Sequence, residues 1–246
     1  MSLLNVERIK LTTTRSPWWC TAVAALISFG FALLFALTYR NGVPTNAPAY
    51  DLSLIESGTA GFGMFVIMIM AALSITTEYR FSIIRTTFQA APRRWQVLCA
   101  KAAFLGLVGL VLGEIFASGS VLLAKALNSM PLMFSSSADW RSVAGIGLVY
   151  GLAAIVSVAV GALLRQSAGA IALVLLWPLL VENLVGIIPS VGSDIQKWMP
   201  FMNASNFLSQ SSNSHFLSPW ASLDYFAVVV AVIVGFAIFM VERRDA

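Results

Sequence analysis

The sequence predicts an all-α, polytopic membrane protein with six transmembrane helices. Three observations carry that expectation. Of the 246 residues, 59% are apolar and only 11% are charged, against about 45–50% and about 25% in soluble domains. The apolar residues gather in six runs, each close to the about 20 residues a helix needs to cross a bilayer. Within each run the hydrophobicity is continuous. Strands of a membrane barrel alternate polar and apolar, whereas a helix satisfies its own backbone in lipid. Residues 1–246 therefore read as one transmembrane domain.

The first span is placed at 18–38, behind Arg8, Lys10 and Arg15. Basic residues before an apolar run resemble a signal peptide, but the run is long and no small-x-small cleavage site follows, so it is expected to be retained. The second span is placed at 58–76 and the third at 97–123, with Glu114 deep inside it. A carboxylate there must face protein or water, or be protonated. It reads either as part of a cation or substrate path or as an anchor between helices. The fourth span, 143–164, is separated from the fifth, 168–188, by a short turn at 165–167. Pro178 is expected to kink the fifth span, with Trp177 beside it and Glu182 and Asn183 near its outer end. The sixth span is placed at 223–241. Gly109 and Gly113 in the third span, and Gly147 and Gly151 in the fourth, have the spacing that lets helices approach closely.

An even number of spans puts both termini on one side. Eleven Lys and Arg fall on that side and four (Arg40, Lys125, Arg141 and Lys197) on the other. The bias orients both termini to the cytoplasm. Segment 189–222 is then external. It is rich in Pro and aromatics, which fits short helices at the outer interface or a re-entrant cap better than a solvated loop. The net charge of +4 follows from this asymmetry and points to no nucleic acid. The two cysteines, Cys20 and Cys99, and the single histidine, His215, form no disulfide framework and no metal site.

The stretch TTEYRFSIIRTTFQAAPRRWQVLCAK, residues 76–101, holds five of the fifteen basic residues between two spans. On a helical wheel over 78–91, Phe81, Ile84, Phe88 and Ala91 make an apolar stripe, with Glu78, Arg85 and Thr86 opposite. Pro92 ends the helix, and Arg93 and Arg94 follow. The pattern reads either as an interfacial helix on lipid headgroups or as a docking element for a soluble partner, with charge pairing through Glu78 and Arg85.

This stretch resembles the cytoplasmic loop of type-2 ABC exporter permeases: an acidic-Tyr-Arg group, an "IR-T" core, a Pro-Arg-Arg step and a Lys entering the third span. The lead-in NVERIKLTTTRSPWW is similar to that family's, in which a Glu and a Lys precede a basic link to the first span. Six spans and a long external segment before the last also agree, and WPLLVENLVGIIP looks closest to actinobacterial members. The resemblance implies a type V exporter-like fold in which 78–91 is a coupling helix seated on a cytoplasmic ABC ATPase. Glu78, Arg80, Arg85, Thr86, Phe88, Arg93 and Arg94 would be its docking residues, with Phe81 departing from the small residue frequent there. It also implies a second permease half, identical or homologous, and a central pathway along the second and fifth spans. Candidates to line that pathway are Phe62, Phe65, Met68, Glu114, Trp177, Glu182 and Asn183.

The chain has no G-x-x-x-x-G-K-[ST] phosphate loop, so ATP and Mg are expected on the separate ATPase and no cofactor on this chain. The function so implied is export of an amphipathic drug, lipid or peptide across the cell membrane. The alternatives are an ion-extruding permease of the same superfamily and a membrane-embedded lipid-modifying enzyme. An enzyme would need clustered acidic or His side chains near one interface, and here the acids are scattered.

Overall fold

The computed structural model describes residues 3–40, 51–84, 93–127, 134, 136–189, 191–210 and 216–243. Among these it is all-helical, without strands. Six helices are long and apolar enough to cross a membrane: Arg15–Thr38, Leu52–Arg80, Arg94–Leu127, Ser137–Leu164, Ser167–Val185 and Pro219–Arg243.

A short polar helix, α1 (Leu3–Thr13), precedes the first span, α2 (Arg15–Thr38). The second span is composite. Asp51 caps α3 (Leu52–Ser57) by accepting from the Leu54 amide at 2.9 Å. A π-helical segment, Gly58–Gly63, then leads into α4 (Met64–Arg80). The third span, α5 (Arg94–Leu127), has 34 residues. That is about 51 Å at 1.5 Å per residue, well beyond a hydrocarbon core of about 30 Å, so its ends project. The fourth, α6 (Ser137–Leu164), opens with a capping box in which Ser136 and Asp139 exchange side-chain-to-backbone hydrogen bonds. It ends at Arg165 in the left-handed conformation, φ 55°. The return is sharp, and the Arg165 guanidinium lies over the Tyr79 ring. The fifth span is broken in the same manner as the second: α7 (Ser167–Leu176), a π segment at Trp177–Val181 and α8 (Glu182–Val185). Two short helices, α9 (Gly192–Gln196) and α10 (Pro200–Leu208), lead to the last span, α11 (Pro219–Arg243).

α6 is the central helix, buried along most of its length, with α4 next. It packs on α4, α5, α7, α10 and α11, while α2 lies against α4 and α5. The seam between α5 and α6 uses the small residues that the sequence singles out. A side chain added at Gly113 would stand 2.9 Å from Gly147 Cα, and one added at Gly147 would stand 2.8 Å from the Leu110 carbonyl. The two Gly-x-x-x-Gly pairs therefore face one another within the chain, bringing backbone against backbone.

The second span begins earlier than composition suggests, at Leu52 rather than 58, because Asp51 supplies a cap and the π segment continues the winding. The helix expected over 78–91 is not continuous. Glu78 still belongs to α4, which ends at Arg80, and the chain turns at Phe81–Ser82 with Ser82 at φ 58°. Phe81 is consequently 65% exposed and Ile84 only 3%, so the two do not share one apolar stripe. Arg85, Thr86 and Phe88 lie outside the described residues.

Candidate functional site

Two polar constellations stand at opposite ends of the helical body. At the basic end, Glu78 near the end of α4 and Lys101 two turns into α5 meet α1. Lys101 Nζ donates to Glu78 Oε1 at 3.0 Å and also pairs closely with Glu7 Oε2. Lys10 Nζ reaches Glu78 Oε1 at 2.9 Å and Glu7 Oε1 at 3.4 Å. Two acids and two bases thus form a neutral cluster. Lys101 is 2% exposed and Glu78 6%. Burial alone lowers the pKa of Lys10. The hydrogen bond and charge of Glu78, then those of Glu7, outweigh it and raise the net value above the ordinary 10.5. The Lys10 contribution is therefore fully present below that value and is lost only as pH rises through the higher folded-state pKa.

This cluster clamps three elements. α1 is held across the start of α5, and the ends of α4 and α5 that bracket the basic segment are tied to one another. Beside it lies an open, mostly apolar groove of about 350 Å³, lined by Leu11, Pro17, Met70, Leu73 and Phe104, among others. Of the proposed docking residues, Glu78 is inside the cluster, while Arg80 is exposed with its guanidinium 5.6 Å from the Phe81 ring centre. Arg93 is exposed and Arg94 opens α5. Glu7, Lys10 and Lys101 were not candidates from sequence. The available signal was charge balance: Glu78 and Lys101 lie at matching depth on adjacent spans, with an acid and a base at i, i+3 in the lead-in.

At the other end, Glu182 is fully buried. Its Oε1 accepts from Trp177 Nε1 at 3.0 Å and from the Phe201 amide at 3.1 Å, and its Oε2 accepts from the Met202 amide at 2.8 Å. It caps the N-terminus of α10, where unpaired amides and the helix dipole favour a carboxylate. Asn183 donates to the Pro178 and Leu179 carbonyls, both at 3.1 Å, inside the π segment. Glu182 thereby holds the end of the fifth span to the α9–α10 cap, and Gln196 of α9 also donates to the Glu182 carbonyl, whereas Asn183 bonds within its own span. Arg141 completes the cap from α6 by donating to the Phe207 and Ser209 carbonyls, each at 2.7 Å. Asn206 bridges to the Leu217 carbonyl and to Ser222 Oγ, each at 2.9 Å.

Glu182→Ala is expected to leave the Phe201 and Met202 amides unpaired and to cost about 1–3 kcal/mol locally. Limited proteolysis should then cut within 189–222 at least tenfold faster, with the helix content of the spans unchanged. An unaltered cleavage rate would remove the anchoring role.

The remaining pathway candidates are dispersed. Phe62, exposed, stacks near Phe31 with ring centres 5.6 Å apart, Phe65 is half-buried, and Met68 lies in the core. The i+3 spacing fails to align them because Phe62 sits in the π segment, whose extra residue per turn rotates it relative to α4. Glu114 is half-buried and packs its Cγ and Oε1 against Gly147. Between it and the start of the second span, Tyr150 Oη donates to the Thr59 carbonyl at 2.7 Å, and Thr59 Oγ1 pairs with Ser120 Oγ at 3.3 Å. Gly63 leaves room for this: an added Cβ would stand 2.6 Å from Tyr150 Oη.

Among the described residues no group of three His, Cys, Asp or Glu is placed to hold a metal ion. No family model and no curated protein matches the chain. The fold thus defines an all-helical protein with six candidate membrane spans, clamped by ions at one end and capped by short helices at the other.

Proposed function

We propose that the chain is the permease subunit of an ATP-driven exporter of the type-2 ABC kind. It moves an amphipathic substrate, a drug, lipid or peptide, out of the cytoplasm across the cell membrane, with both termini cytoplasmic. A separate ABC ATPase binds ATP and Mg, and a second permease half, identical or homologous, completes the pathway. The observation that carries the reading is the basic segment 76–101, with its acidic-Tyr-Arg, "IR-T" and Pro-Arg-Arg steps. The ion cluster supports it. A displacement imposed on residues 85–94 is delivered to α4 and α5 together, because Glu78 and Lys101 tie the two helices. An unclamped loop would dissipate the same displacement as local motion. On this reading Glu78 serves inside the permease, and the charge pairing to the partner falls to Arg80, Arg85, Arg93 and Arg94. Such contacts set register and association rate more than raw affinity.

The test is co-expression of the tagged chain with the ABC ATPase of a neighbouring reading frame. Arg85→Glu and Phe88→Asp should each reduce substrate-stimulated ATP hydrolysis at least tenfold, or lose the ATPase on purification, while the permease itself remains folded. Normal binding, hydrolysis and flux in both variants would reduce the segment to an interfacial helix and remove the reading's main support.

A further inference from the structure

The cap end contains a second feature that export of an unspecified substrate does not explain. A cavity of about 280 Å³ lies between α3, α4, α6 and α10. Its walls are largely apolar, including Met64, Val149, Phe201 and Leu208, with hydroxyls from Ser142 and Ser205. One ionisable side chain lines it, Glu56 of α3. Glu56 is 3% exposed, and neither carboxyl oxygen has a hydrogen-bond partner among the described residues. The Thr59 hydroxyl, 3.3 Å from Ser120 Oγ, is the nearby donor that acts on this carboxyl without completing a hydrogen bond to it.

An unpartnered buried carboxyl is costly in either protonation state. Ionised, it lacks donors; protonated, its O–H lacks an acceptor. Among the described residues no basic side chain pairs with it. The charged group that acts on Glu56 is another carboxylate, Glu114. Arg141 of α6 directs its guanidinium to the Phe207 and Ser209 carbonyls, and Asp51 at the start of α3 accepts from the Leu54 amide and Ser53 Oγ. The site therefore presents a largely apolar cleft with one unsatisfied acidic group. Its volume is at the small end of ligand pockets, which run from about 300 Å³ upward.

We propose that this cavity binds a small amphipathic amine, with the ammonium paired to Glu56 and the apolar body against Met64, Val149 and Leu208. A charge-assisted hydrogen bond to the ammonium satisfies the carboxylate, and the apolar walls receive the body of the ligand. The four surrounding elements fix the site from both the span bundle and the cap, so the ligand also bridges α3 to α10. Binding does not depend on the exporter reading and is measured without any ATPase, so either can fail alone.

The experiment uses the full chain in nanodiscs and two probes, 4-phenylbutylamine and its neutral analogue 4-phenylbutanol, titrated calorimetrically against empty nanodiscs to subtract partition into lipid. The amine should bind saturably and at least tenfold more tightly than the alcohol. Glu56→Gln should remove that preference and weaken the amine about tenfold. Ser205→Phe, which fills the chamber from its exposed rim and leaves Glu56 in place, should abolish saturable binding of both probes. Absence of saturable amine binding to the unaltered chain overturns the proposal. So does equal affinity for amine and alcohol, or an undiminished amine affinity in Glu56→Gln. Should Glu56→Gln not yield folded protein, the amine–alcohol comparison on the unaltered chain and the Ser205→Phe variant decide the matter.

Discussion

Lys101→Met is expected to destabilise the protein by about 3–5 kcal/mol, the range for breaking a buried ion pair from one side. The reason is arithmetic of charge in a dry place. Lys101 serves both Glu7 and Glu78, and its loss leaves two buried carboxylates with only Lys10 between them. The unfolding midpoint in detergent should fall by about 10 °C. Replacing the pair together, Lys101→Met with Glu78→Leu, should recover most of the loss, because an apolar pair in place of a buried ion pair is often neutral or stabilising. Glu7 and Lys10 would then still neutralise each other. A single variant with an unchanged midpoint would mean that the cluster is hydrated and does not clamp α1, α4 and α5.

Gly113→Leu is expected to separate α5 from α6 and to leave little folded protein. Overpacking costs about 1–3 kcal/mol where side chains can yield. Here the obstacle on the facing helix is Gly147 Cα itself, with the Tyr150 side chain beside it. Lipid supplies no hydrophobic drive to hold mismatched helices together, so close packing of the two backbones is what joins them. Gly235→Ala is the matched control, since an added methyl there meets nothing within 4 Å. Size-exclusion profiles and midpoints should separate the two variants clearly. A Gly113→Leu protein that stays monodisperse with an unchanged midpoint would show that the seam is looser than this geometry.

Much of the fold was legible because lipid demands a strong compositional signal. Six continuous apolar runs correspond to six helices long and apolar enough to span. Boundaries were less legible where the chain kept winding without apolar residues. Asp51 and Glu56 looked like loop, yet the first caps α3 and the second lies within the helix. Glu56 therefore carries no sequence signal as a site residue. The two π segments leave almost no trace in sequence beyond a Gly-rich stretch and Pro178, and one extra residue was enough to misalign Phe62, Phe65 and Met68. Glu78 was placed on a surface helix because a helical wheel assumes unbroken winding. Ser82 in the left-handed region breaks it, and serine carries no such warning as glycine or asparagine would. Glu182 and Asn183 stand out in sequence as polar residues at the end of an apolar span and as candidates to line a pathway. Their partners, the amides of Phe201 and Met202 and two carbonyls of a π turn, depend on tertiary contacts that no local pattern encodes.

The ion cluster also imposes an order of events during synthesis. Glu7 and Lys10 leave the ribosome before the six candidate spans, and the lysine that completes their set follows 94 residues after Glu7. A nascent chain halted after α4 has Glu7, Lys10 and Glu78 but not Lys101, and so holds one uncompensated negative charge where the finished protein has none. The docked arrangement of α1 is completed only by the ammonium that the third span carries. The opening helix is thus made before the spans on which it is seated, and its docking reports that the second and third spans are both in place.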